Sequence, residues 1–268
     1  MSGILVALLV ATTSLLLPQA TNNSIELVAL LAMLAAMLTF VEYNSHFPSF
    51  VEFRDAPPLN RIRFVALFAM IFLLTVICKH KYEPTSITTL FTAFGVLNGN
   101  WADFPYSPVR LVILMLPDDA LASTVNAVRI SAAVSYIAAL ATVGTFWICV
   151  RVLGWPTSSG AFNVWVNLPL FDPTSGGDVV QRLQRDGRIN IILGVLLPFI
   201  IPAVVKAASD WVNPISMDNP QTLIWTMSAW SFLPASMIMR GMAMLRISDL
   251  IEEKRRRTYA NADSMQTA

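Results

Sequence analysis

Apolar positions in this chain run in long unbroken blocks, and the charged positions fall between them. No Lys, Arg, Asp or Glu occurs before Glu26, nor within 27–41, 64–78, 130–150, 189–205 or 219–239. An ionised side chain in the hydrocarbon core of a bilayer costs several kcal/mol. Blocks of this length, separated by short charged segments, predict a chain that crosses a membrane repeatedly. A crossing helix takes about 20 mainly apolar residues, with a range of about 17–25. Six segments fit: 3–20, 25–43, 62–78, 130–150, 189–205 and 221–239. The predicted fold is all-α, a polytopic transmembrane helix bundle of about six spans with both termini cytoplasmic. The transmembrane domain covers 1–240, and a charged cytoplasmic helix with a disordered tail covers 241–268.

Cytoplasmic connections carry the excess of Lys and Arg. Six spans leave Lys79, Lys81, Arg110, Arg129 and Lys206 outside and the other 13 of the 18 basic residues inside. Residues 84–102 are also free of charge, and a seventh span there is the alternative, dividing the charges 12 to 6. Six spans are preferred because Thr85, Thr88, Thr89, Thr92, Asn98 and Asn100 make that segment polar for a helix facing lipid. With the short apolar run 111–116 it forms a re-entrant or surface-lying element, which requires protein or water to satisfy its backbone. The segment 4–17 has the length of a signal-peptide core. No Lys or Arg precedes it, and a signal peptide carries a basic n-region, so a retained first span is expected.

Composition agrees with this pattern. Only 13% of residues are charged, against about a quarter in globular proteins. The net charge of +1 excludes a global attraction to nucleic acid. Cys78 and Cys149 fall at opposite membrane faces, too far apart for a disulfide, so two free thiols are expected. The connection 152–187, with Trp155, Phe162, Trp165 and Phe171, reads as an interfacial loop. Arg182, Arg185 and Arg188 lie on a short basic amphipathic helix that feeds the fifth span. In the tail, Glu252 and Glu253 precede Arg256 and Arg257 by four residues, the favourable order for helical ion pairs. The basic run 254–257 can meet anionic lipid or serve only as a topology signal.

Proton-coupled carriers and membrane enzymes keep ionisable groups within the bilayer. None lies in the central part of the six spans, which argues against a proton relay or an intramembrane hydrolase. His46 and His80 follow consecutive spans and so face opposite sides, which prevents them from sharing a metal. No CxxC, HExxH, phosphate-binding or dinucleotide-binding pattern is present, and no cofactor or metal is expected.

Two polar groups stand out. The inner loop 46–64 gathers His46, Glu52, Arg54, Asp55, Arg61 and Arg63 among four phenylalanines and three prolines. Its stiff backbone suits docking against another protein, with Arg54, Asp55, Arg61 and Arg63 as candidate contacts. An internally paired loop that caps the bundle fits equally well. On the outer side Asn98, Asn100, Trp101 and Asp103, with Tyr106, Arg110, Asp118 and Asp119, suit a vestibule for a small molecule, or a plain interfacial loop. The fourth span repeats small residues at Ser131, Ser135 and Ala139, with Gly144 beyond, a face for close helix packing. Pro198, Pro202 and Pro234 are expected to kink the last two spans.

Together these features predict a multi-pass integral membrane protein of the bacterial inner membrane or an equivalent one. The expected role is a non-catalytic accessory or assembly subunit, with the lipid bilayer and other membrane-protein subunits as partners and no nucleic acid. The alternative is a transporter or channel for a small neutral solute. A membrane enzyme using Glu52, Arg54 and Asp55 beside His46 is the third and weakest class.

Overall fold

The computed structural model describes residues 2–18, 22–46, 48–156, 167–169, 171, 177–208 and 216–266, with side chains for all of these except 22–24 and 261–266. Eight α-helices and no strand occur among them. They are α1 (Ser2–Leu16), α2 (Asn22–Asn44), α3 (Leu59–Lys79), α4 (Ser86–Ala102), α5 (Pro108–Leu114), α6 (Ala122–Arg151), α7 (Val179–Ala208) and α8 (Pro220–Gln266). Their starts follow local chemistry. Thr85 caps α4 by accepting from the Thr88 backbone N–H, and Thr88 returns the bond to the Thr85 N–H. Ser107 caps α5, with Pro108 in the first turn where no N–H is needed. The Asn219 side chain accepts from the Gln221 N–H at 2.9 Å as α8 begins.

Helix α8 is the axis of the bundle. Helices α3, α6 and α7 pack around it, while α1 pairs with α2 and touches α3. Four helices are long and apolar enough to cross a membrane: residues 25–44 of α2, then α3, α6 and α7. Between Leu27 and Val41 helix α2 carries no charged residue on any side, and it exposes Leu27, Leu30, Met33, Leu34, Met37 and Phe40 on one broad face. A helix apolar on every side needs a lipid or protein environment.

Two of the six expected spans depart from that standard. Helix α1 has only 15 residues, about 22 Å at 1.5 Å per residue. Helix α8 is long enough, yet it is less apolar than the four. Its Leu223, Ile224, Met227, Ser228, Trp230, Ser231, Ala235 and Met239 are all buried. Helix–helix contacts in a membrane protein favour small and hydroxyl side chains, which a helix enclosed by protein therefore carries in greater number. Beyond Met239 the same helix runs on to Gln266, past Thr258, where a disordered tail is the sequence expectation. The expected Glu252–Arg256 and Glu253–Arg257 pairs both form on it. Phe162 and Trp165 of the expected interfacial loop lie outside the described residues.

Helix α4 resolves the character of 84–102. Thr88, Thr92, Gly95 and Gly99 turn inward, and Ile87, Leu90, Phe94, Leu97 and Trp101 form an exposed apolar stripe. Thr88 lies 3.1 Å from the His80 ring. A Cβ on Gly95 would meet Ile130 and Ile77, and one on Gly99 would meet Arg129 and Ile130. From Thr88 to Gly99 one face of α4 thus packs on the end of α3 and on residues 129–134 of α6.

The α7–α8 crossing is the tightest. Gly187 and Gly194 of α7 face Gly241, Pro234 and Ile238 of α8 with backbone against backbone. Pro198 and Pro202 both lie inside α7. Because Pro202 has no N–H, the Pro198 carbonyl lacks its helical donor. The Trp230 indole N–H supplies one instead, at 3.2 Å. On α6, Ser131, Ser135 and Ala139 are buried as a packing face, while Gly144 has open space around it.

Candidate functional site

The loop between α2 and α3 is locked by its own polar groups. Glu42, buried in the last turn of α2, accepts from the backbone N–H of Ser49 at 3.0 Å and of Phe50 and Val51 at 3.2 Å. Arg54 reaches back to donate to the carbonyls of Glu42 at 3.0 Å and Ser45 at 2.5 Å. Carboxylate and guanidinium together clamp the loop to the helix end. Phe53 takes a left-handed φ of 54°, a conformation that costs a non-glycine residue about 1–2 kcal/mol. It is held there by complete burial and by its N–H bond to the Asn167 carbonyl at 2.6 Å. The Trp155 ring packs on Phe53 and edge-on to Phe146, with centroids 6.0 and 5.3 Å apart. Its indole N–H donates to the carbonyls of Ala56 and Pro57 at 3.3 and 3.0 Å.

Beneath this loop three charged groups meet. Arg240 of α8 donates twice to the Glu52 carboxylate, at 2.5 and 2.7 Å. The Glu52 side chain is only 7% exposed and that of Arg240 25%. Arg63 of α3 lies close by and donates to the Ser236 carbonyl at 3.0 Å. The cluster joins the loop, α3 and α8. Further out, Arg255 of α8 pairs with Asp178 at 2.8 Å. That hydrogen bond, with one from the Val180 N–H, holds the Asp178 carboxyl below its ordinary value. The pair is therefore intact at neutral pH and is lost on acidification, as Asp178 takes up its proton.

Of the four candidate docking residues, Arg54 and Arg63 turn inward, while Asp55 and Arg61 are exposed. Arg54 and Asp55 touch at 3.2 Å. His46 is exposed at the opposite end of α3 from His80. The four candidate vestibule residues lie on and just past α4. Asn98 bonds back to the Phe94 carbonyl at 2.7 Å, Asn100 and Trp101 face outward, and Asp103 pairs with Arg110 at 2.8 Å.

None of those four lines the nearby cavity. A cavity of about 360 Å³ opens at the His80 end, between α3, α4, α6 and the start of α8. Its polar lining includes His80, Lys81, Thr92, Asn126, Ser131 and Asp218. The Thr92 and Ser131 hydroxyl oxygens are buried without a hydrogen-bond partner. Below it the bundle is closed by Met70, Ser135, Ala139, Met227, Ser231 and Ala235, all buried. A small apolar pocket of about 70 Å³ lies beside Met227 and Trp230 on the α5–α7 side, and a further cleft begins at Met242, at the Arg240 end. Met242 lies 19 residues beyond Leu223 on α8, about 28 Å along the helix. Among the described residues, no group of three or more His, Cys, Asp or Glu side chains is placed to hold a metal ion, and both cysteines are free.

Glu42, Arg240 and Trp155 carry the locked loop, and the sequence singled out none of them for this role. Glu42 and Arg240 read as charges closing a span, and their partners lie 7 and 188 positions away. No family model matches this chain, and no curated protein or solved structure shows significant similarity to it. The four long apolar helices make it a membrane protein.

Proposed function

We propose that this chain is a non-catalytic accessory or assembly subunit of a larger membrane complex, spanning the bilayer six times with its arginine-rich end in the cytoplasm. One observation carries most of the weight. The Arg240 end presents a loop braced by Glu42, Arg54, Glu52 and Trp155, whose reactive groups are consumed in holding its own shape. Such a loop works as a rigid contact surface, with Asp55, Arg61 and Phe50 outward. The helix beyond Arg240 adds a second extended surface. The short apolar helix α1 and the first half of α8, which is packed in protein and so needs less apolarity, complete the six crossings.

The test is purification from native membranes in a mild detergent. A stoichiometric co-purifying membrane protein, lost on Asp55→Lys with Arg61→Glu, is expected. A clean monomer from the same membranes overturns the proposal. A carrier for a small neutral solute is the second reading, and it draws on the cavity at the His80 end. The packed layer beneath that cavity favours the first.

A further inference from the structure

Helices α6 and α7 both lie along α8 but make almost no contact with each other. At the Arg240 end this leaves a cleft of about 310 Å³. Met242 and Leu245 of α8 form its floor, with Trp147 of α6 and Ile191 of α7 as walls. Trp147 is 52% exposed, so the cleft opens sideways, where the bilayer lies. One turn further along, Arg151 and Arg246 stand beside Asp249. Arg151 closes α6 and is exposed. Arg246 gives its Nε–H to the Trp155 carbonyl at 3.1 Å, which fixes the guanidinium while its terminal nitrogens remain to bind an anion.

We propose that this cleft seats one anionic phospholipid. An acyl chain lies against Trp147, Ile191, Met242 and Leu245, and the phosphate sits between Arg151 and Arg246. Apolar walls at bilayer depth, with a basic rim one turn beyond, match the two halves of such a lipid. A guanidinium pairs with phosphate oxygens through parallel N–H bonds. Asp249 reduces the rim to one net positive charge, which matches a headgroup carrying a single negative charge.

The full chain is reconstituted in phosphatidylcholine vesicles holding a small, equal fraction of brominated phosphatidylglycerol, phosphatidylethanolamine or phosphatidylcholine. Bromine quenches indole on contact, and the Trp147 contribution is the difference from Trp147→Phe. About 1 kcal/mol per basic residue near the surface gives roughly fivefold local enrichment. Quenching by brominated phosphatidylglycerol should therefore exceed that by phosphatidylcholine severalfold. The excess should shrink in Arg151→Gln and in high salt, with phosphatidylcholine unchanged. Equal quenching by all three lipids overturns the proposal. So does a preference for phosphatidylethanolamine, whose ammonium would pair with Asp249, or absence of quenching by any lipid, which would place protein in the cleft.

Discussion

Replacing Gly241 with leucine is expected to pull α7 away from α8 and lower the Tm of the detergent-solubilised protein by roughly 6–12 °C. A Cβ at this position would sit 2.5 Å from the Gly187 carbonyl oxygen and 2.7 Å from Cγ1 of Ile191. The oxygen belongs to helical backbone and cannot rotate aside as a side chain can. Relief requires separating two long helices that meet through glycine on both sides. Overpacking costs about 1–3 kcal/mol. The upper end applies here, and each kcal/mol moves Tm by about 2–4 °C in a protein of this size. Gly241→Ala isolates the cause. Alanine is favoured over glycine in a helix by about 1 kcal/mol, so a net loss in that variant can come only from the contact. Gly144→Leu is the control. No atom lies within 4 Å of its Cβ position, and its Tm should stay unchanged or rise. Equal Tm values for Gly241→Leu and the unaltered protein would show that α7 and α8 do not cross as described.

Glu52→Gln is expected to destabilise the protein by about 3 kcal/mol. Breaking a buried ion pair from one side costs about 3–5 kcal/mol, because the remaining charge stays desolvated. Arg240 keeps a quarter of its side chain in contact with solvent, which places the loss at the lower end. The neighbouring Arg63 adds to it, since two guanidiniums then face each other without a carboxylate. Combining Glu52→Leu with Arg240→Met should recover part of the stability lost in Glu52→Leu alone, as apolar replacements of buried pairs commonly do. Chemical denaturation of the three variants measures this. A loss under about 0.5 kcal/mol in Glu52→Gln, the range of an exposed pair, would mean that the bond is open to water.

Helices α2, α3, α6 and α7 were legible in the sequence because lipid imposes its demand on each helix separately. An uninterrupted apolar block is a local signal. Helix α8 was legible as a helix but not as the axis, since its burial depends on where α3, α6 and α7 pack. The polarity of 84–102 pointed away from lipid, yet the count of threonines and asparagines hides their direction. Thr88, Thr92, Gly95 and Gly99 share the inward face of α4, so the outward face is as apolar as a lipid-facing helix. Reading the segment by helical face would have found the Ile87–Trp101 stripe. The glycines Gly187, Gly194 and Gly241 were visible as residues, but their pairing across two helices was not. The loop offered its charges openly and concealed their partners. Glu42 binds backbone N–H groups, which every sequence carries and none displays. Glu52 and Arg240 are joined only by the fold.

In the proposed topology α6, α7 and α8 each cross a bilayer between the loop at Asp118 and the charged helix at Glu253. Both positions are open to reagent, with side-chain exposures of 99% and 54%. The decisive measurement labels Asp118→Cys and Glu253→Cys, each in a Cys78→Ser, Cys149→Ser background, with a membrane-impermeant thiol reagent on sealed cells. Labelling is expected at 118 in intact cells and at 253 only after permeabilisation. Labelling of both positions from the same side would contradict that topology.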